Sequence, residues 1–150
     1  MNAISRLRAV VLFAAVALFT GCASVPMAPA DKDLEAKSFT TPADKALVYV
    51  FRPGSLGGAV TFPVSVDGAR IGQLASKTFA VAALTPGQHE VVVNAENEVR
   101  TKVNAEAGKN IYLLTEAHMG VFAARVGVTQ LTDDAAAKNH VNQCKLIQPQ

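Results

Sequence analysis

Three sets of residues in this 150-residue chain carry types and spacings that could do chemistry. Cys22 closes the run Leu18-Phe19-Thr20-Gly21-Cys22. A thiol after two small residues and a short apolar run is the setting in which a bacterial cysteine is lipidated and becomes the first residue of the mature chain. His140 and Cys144 stand four apart, on one face of any helix formed there. They could act as base and nucleophile, or supply two metal ligands, but the first role needs an orienting carboxylate and the second a further ligand. No such carboxylate stands close by in the chain, and His89 and His118 are too distant for a local ligand motif. Arg52 and Arg125 sit in or beside apolar strands, so each needs a carboxylate partner or an exit to solvent. Together with His89 they are the candidate contacts for a binding partner.

Other signatures are missing from the sequence. Gly54 to Gly58 is glycine-rich but has no lysine at phosphate-loop spacing, and neither a nucleophile elbow nor a His-Glu-x-x-His helix occurs. The expectation is a chain with no catalytic residues, no cofactor and no metal. Lipidation of Cys22 leaves Cys144 without an intrachain partner, so it is expected to be buried as a small hydrophobe.

The surroundings of Cys22 predict a lipoprotein signal peptide over residues 1–21. Arg6 and Arg8 precede an uncharged apolar run from Ala9 to Phe19. That run suits a secretory signal and falls short of the roughly 20 residues a spanning helix needs. Phe19 stands where the usual lipobox has leucine. No aspartate follows Cys22, so the expected place is the outer membrane, with the domain facing the periplasm. The formal charge of +2 equals the contribution of Arg6 and Arg8; the remainder is balanced and has no footprint for nucleic acid.

The elements that must position these residues follow Cys22. Residues 22–44 read as the lipidated cysteine and a flexible tether, with Pro26, Pro29 and Pro42, mixed charges and at most one helical turn from Asp31 to Lys37. Extended, the tether would reach roughly 70 Å; as a coil, about 25 Å. Residues 45–146 read as one β-rich domain, and 147–150 as a tail. Leu47 to Phe51 is continuously apolar, as in a strand covered on both faces. Phe62, Val64 and Val66 alternate with Pro63, Ser65 and Asp67, and Asp67-Gly68 predicts a hairpin. Further strands are expected over Thr78 to Leu84, from His89, around Val99 to Val103, over Ile111 to Thr115 and from Val121 to Leu131, the last with Phe122 on its apolar side. Glu96 and Glu98 read as a solvated turn. Thr132 reads as the N-cap of a short C-terminal helix reaching about Cys144 and docking through Ala137, Val141 and Cys144. Strands every 8–12 residues with Gly/Pro turns predict a mainly β fold, an antiparallel β-sandwich with a short C-terminal α-helix.

A resemblance lies in the order of several motifs: Ala46-Leu47-Val48-Tyr49-Val50-Phe51-Arg52-Pro53, Val64-Ser65-Val66-Asp67-Gly68, Ile71-Gly72-Gln73-Leu74, Leu84-Thr85-Pro86-Gly87-Gln88-His89-Glu90-Val91, and Ala107-Gly108-Lys109-Asn110-Ile111-Tyr112-Leu113. This order resembles bacterial lipoproteins of domain-of-unknown-function family 2846, and is similar to PEGA-type β-sandwich modules of cell-envelope proteins. The resemblance implies the fold and an envelope location and no enzymatic activity. The expected function is a lipid-anchored, non-catalytic binding or structural module. Its partners would be the membrane, through Cys22, and an envelope protein or glycan. The alternatives are a periplasmic carrier of a small apolar ligand and a thiol-dependent enzyme using Cys144.

Overall fold

The computed structural model describes residues 23–150; Cys22 and the signal segment lie outside them. Among the described residues, nine strands and two helices follow in order: α1 (Ala30–Ala36), β1 (Ala46–Arg52), β2 (Phe62–Val66), β3 (Ala69–Leu74), β4 (Thr78–Leu84), β5 (Gly87–Asn94), β6 (Glu98–Ala105), β7 (Asn110–Met119), β8 (Ala124–Leu131), α2 (Asp134–Asn142) and β9 (Lys145–Leu146). The strands form a five-stranded sheet in the order β8-β7-β1-β4-β9 and a four-stranded sheet in the order β3-β2-β5-β6. The fold is the β-sandwich with a short C-terminal helix that the strand spacing predicts.

Two apolar clusters divide along the pleat of β1. Val48 and Val50 point between the sheets, against Phe62, Val64, Val91, Val93 and Leu113. Tyr49 and Phe51 point to the opposite face, against Phe79 and Tyr112, Ala137 and Val141 of α2, and Cys144, which lies just past the end of that helix at Asn142. Because successive side chains alternate between faces, a strand buried on both reads as a continuous apolar run.

Not every pairing is antiparallel. β1 runs parallel to β7, with Tyr49 opposite Tyr112, and β4 runs parallel to β9. Turn signals identify local hairpins; they carry no information about which distant strand closes a sheet. The Asp67-Gly68 hairpin forms as expected, with both residues at positive φ (49° and 82°) between β2 and β3.

Residues 23–44 are not a free tether. The backbone of Ala28 donates to Leu146, Gln148 donates to Pro26, and Met27 bridges Ile147. Asp33 of α1 pairs with Lys37, the residue that caps the helix, and also accepts from the Leu146 amide. Phe39 packs on Tyr49 and Tyr112, and the Tyr49 hydroxyl donates to the Ala36 carbonyl. The segment has too few apolar residues to show a period, yet Ala28, Ala36 and Phe39 pack on the outer-face cluster of β1. Residues 147–150 are likewise more than a tail, because Ile147 is buried in the core. Gly72 explains the fit: a Cβ there would run into the Ile147 side chain.

Two boundaries also shift. β8 begins at Ala124, and residues 120–123 form the turn before it. Asp133, not Thr132, caps α2, its carboxylate accepting from the Ala136 amide.

Candidate functional site

Strand direction gathers five connections at one end of the sandwich. β1, β3, β5 and β7 finish there, and β2, β4, β6 and β8 start there. This end therefore carries the loops 53–61, 75–77, 95–97 and 120–123, together with the 143–144 connection into β9.

Arg52 organises the first loop. It follows Val50 by two positions, so the pleat turns it into the sandwich, where it is only 1% exposed. Its guanidinium lies 4.1 Å from the centre of the Phe62 ring. It donates to the carbonyls of Val60 (2.7 Å), Leu56 (2.8 Å) and Gly57 (2.9 Å). Burial lowers its pKa, though an arginine remains charged at any ordinary pH. Loop carbonyls stand in place of the expected carboxylate partner or exit to solvent, and Arg52 is not free to meet a partner. Gly57 has φ 67°, and a Cβ there would meet Ala124 and Ala117 at 3.3 and 3.4 Å, so the loop lies close over the β7–β8 hairpin.

Glu96 organises the second loop. Its carboxylate accepts the amides of Ala123 (2.7 Å), Phe122 (2.9 Å) and Val121 (3.2 Å). These three donors hold its pKa below the usual carboxylate value, with the charge of Arg125 as a smaller contribution. Beside it, the Asn97 side chain donates to the Val126 carbonyl (2.9 Å) and accepts the Val126 amide (2.8 Å), as a strand partner would.

Held this way, the 120–123 turn projects apolar side chains outward. Phe122 is 95% exposed, Met119 85% and Val121 79%, and Leu56 of the facing loop is 58% exposed. A shallow cleft of about 360 Å³ separates the two loops. The Ala23 amide, the first of the described residues, donates to the Gly58 carbonyl (2.9 Å) at the same end. Phe122, expected on the buried side of a strand, is instead the most protruding apolar residue of this tip. The turn residue Gly120 was the available sign. The role of Glu96 had none, because Glu96 and Glu98 look alike in the sequence.

His89 occupies the opposite end. Its Nδ1 lies 2.6 Å from Asp67 and its Nε2 2.7 Å from the Thr85 carbonyl. Both partners are acceptors, so the ring makes both bonds only as the imidazolium. The Asp67 hydrogen bond, followed by that to Thr85, raises the His89 pKa; the Glu90 amide, followed by His89, lowers that of Asp67. His89 thus ties two turns together rather than facing a partner. Arg125 alone among the three candidate contacts is exposed, beside Glu96.

His140 and Cys144 are not arranged for nucleophilic catalysis. Cys144 is buried, and burial pushes its thiol up to about 11. The His140 ring stacks on Phe51, with centroids 6.2 Å apart. Among the described residues, no three His, Cys, Asp or Glu side chains gather as a metal site. No helix among them is long and apolar enough to cross a membrane.

The family described as "Protein of unknown function (DUF2846)" matches residues 42–128, more than half of the chain. The chain belongs to this family. The matched span runs from the segment before β1 into β8, so Arg52, His89, Glu96 and Phe122 all lie within the DUF2846 region. An uncharacterized protein of Haemophilus influenzae (strain ATCC 51907 / DSM 11121 / KW20 / Rd) is 26% identical over 123 residues, 81% of this chain and 73% of that protein. This likeness is longer than the DUF2846 span. No solved structure matches.

Proposed function

We propose that this member of DUF2846 is a lipid-anchored lipoprotein of the cell envelope, held at the outer membrane with its domain in the periplasm. There it acts as a non-catalytic binding or structural module. One observation carries the non-catalytic reading. The side chains best suited to chemistry, Arg52, Glu96 and His89, are bonded to the protein's own loops and turns. What the loop end presents outward is apolar surface with exposed charges around it, Arg125, Lys77 and Lys145 among them. The burial of Cys144 speaks against the thiol-dependent alternative. The lipobox-like run ending at Cys22 supports the anchor, and Ala23 lies against the body of the domain, ready to follow a modified cysteine.

The test is the intact mass of protein extracted from membranes, beside that of a Cys22→Ser variant. The expected mass is that of a chain beginning at residue 22 with acyl chains added, absent from the variant. An unmodified chain recovered from the soluble fraction overturns the proposal.

A second reading, carriage of a small apolar ligand, is favoured by a cleft of about 390 Å³ between α1 and the outer face of β1, lined by Ala28, Leu47, Tyr49, Val81, Leu146 and Pro149. Native mass spectrometry of freshly purified protein tests it: a bound mass that is lost on Val81→Glu supports it, and a persistently empty chain refutes it.

A further inference from the structure

We propose that the apolar loop end of the sandwich is a membrane-contact surface, on which Phe122, Val121, Met119 and Leu56 enter the interfacial layer of the bilayer that holds Cys22. The inference rests on the lipoprotein reading of Cys22 and deepens it: the domain lies against its membrane instead of standing off on a tether.

The course of the N-terminal segment leads to this. Residues 26–28 are hydrogen-bonded to the C-terminal segment, and the Ala23 amide to the Gly58 carbonyl. Cys22 is one Cα step, about 3.8 Å, from Ala23. Ala23, the residue after the proposed point of lipid attachment, is thereby held at the end of the domain where Leu56 and the 120–123 turn project. A lipid held there brings that end to the bilayer, and the opposite end, with its Asp67–His89 pair, faces away.

The tip has the chemistry of an interfacial contact. Four large apolar side chains protrude at a place where a solvated domain ordinarily shows polar turns. The turn backbone need not be desolvated unsatisfied, because the amides of Val121, Phe122 and Ala123 are already taken up by Glu96. The same end carries the exposed cations Lys77, Arg125 and Lys145, suited to lipid phosphates; Glu116 is its exposed, unengaged acid. Apolar side chains in the headgroup–acyl boundary ringed by basic ones are the pattern of interfacial binding.

The chain contains no tryptophan, so a single introduced indole is a sole reporter. Phe122→Trp changes an exposed side chain and leaves the packing intact. The full-length lipidated protein is purified from membranes and placed in phosphatidylcholine–phosphatidylglycerol vesicles, with and without brominated acyl chains. With a side chain ~5–10 Å into the interface, the emission of the Phe122→Trp variant shifts to the blue and brominated lipid quenches it by about half or more. The Glu106→Trp variant, with its indole at the opposite end, stays unshifted and unquenched. Equal, weak quenching in both variants, on protein whose mass shows the lipid, overturns the contact while leaving the anchor standing. A blue shift in the Phe122→Trp variant without bromine quenching places another protein or a second copy on the tip and also overturns it. A mass without lipid overturns both the contact and the anchor.

Discussion

Arg52→Met is the sharpest test of how the loop end is held. The substitution keeps an unbranched apolar stem in the sandwich while removing the guanidinium, with its charge, its donors and its contact with the Phe62 ring. Three charge-assisted hydrogen bonds are lost, at about 1.5–3 kcal/mol each, along with a cation–π contact of roughly 0.5–2 kcal/mol. Opposing this, the buried guanidinium no longer has to be desolvated, and the freed carbonyls of the partly exposed 56–60 loop can bind water. A net loss of about 2–4 kcal/mol remains. For a domain of this size that lowers Tm by roughly 8–16 °C. Urea unfolding gives the free energy, and hydrogen exchange locates it. The Val60 amide, which donates to the Gly57 carbonyl, should exchange faster, while the β1 amides keep their protection. Arg52→Lys retains the charge without the planar fork and should lose about half as much. If Arg52→Met unfolds within ~0.5 kcal/mol of the natural chain, then apolar contacts, not the guanidinium, hold the loop.

Other perturbations reach the remaining features. His89 has a raised pKa, so its contribution is full below its unfolded value and is lost as pH rises through the folded one. Asp67 has a lowered pKa, so its contribution is present above its unfolded value and is lost as pH falls through the folded one. The pair should stabilise most between about pH 4 and 6.5. Asp67→Asn should lower the His89 pKa in an NMR titration and flatten the fall in Tm from pH 5.5 to 8.5; an unchanged His89 titration refutes the pairing. Cys144 should resist thiol reagents in the native protein and react fully once unfolded, whereas fast native labelling would contradict its burial. Ile147→Ala should cost about 2–4 kcal/mol in urea unfolding, and Gly72→Ala should weaken the same contact; if neither variant differs from the natural chain, residues 147–150 are a tail after all.

The amino-acid sequence by itself determined the class of fold and much of its element order, because strand period and turn chemistry are local. Alternation at Phe62, Val64 and Val66, the continuous run of β1 and the Asp67-Gly68 turn each translate directly into the strands and hairpin observed. Helix docking through Ala137 and Val141 was equally legible, since i and i+4 share a face, whereas Cys144 joins them from beyond the helix, which ends at Asn142. Only the tertiary structure decided what depends on distant partners. The parallel β1–β7 pairing joins residues more than sixty positions apart. Residues 23–44 read as a linker because their few apolar groups form no period, yet Phe39 needs only two aromatic rings from β1 and β7 to dock. Arg52 called for a carboxylate or an exit to solvent and found backbone carbonyls, which every residue carries and no sequence pattern marks. Glu96 and Phe122 belong together for the same reason: a carboxylate that collects three amides from a turn 25 residues away exposes the apolar side chains that turn bears.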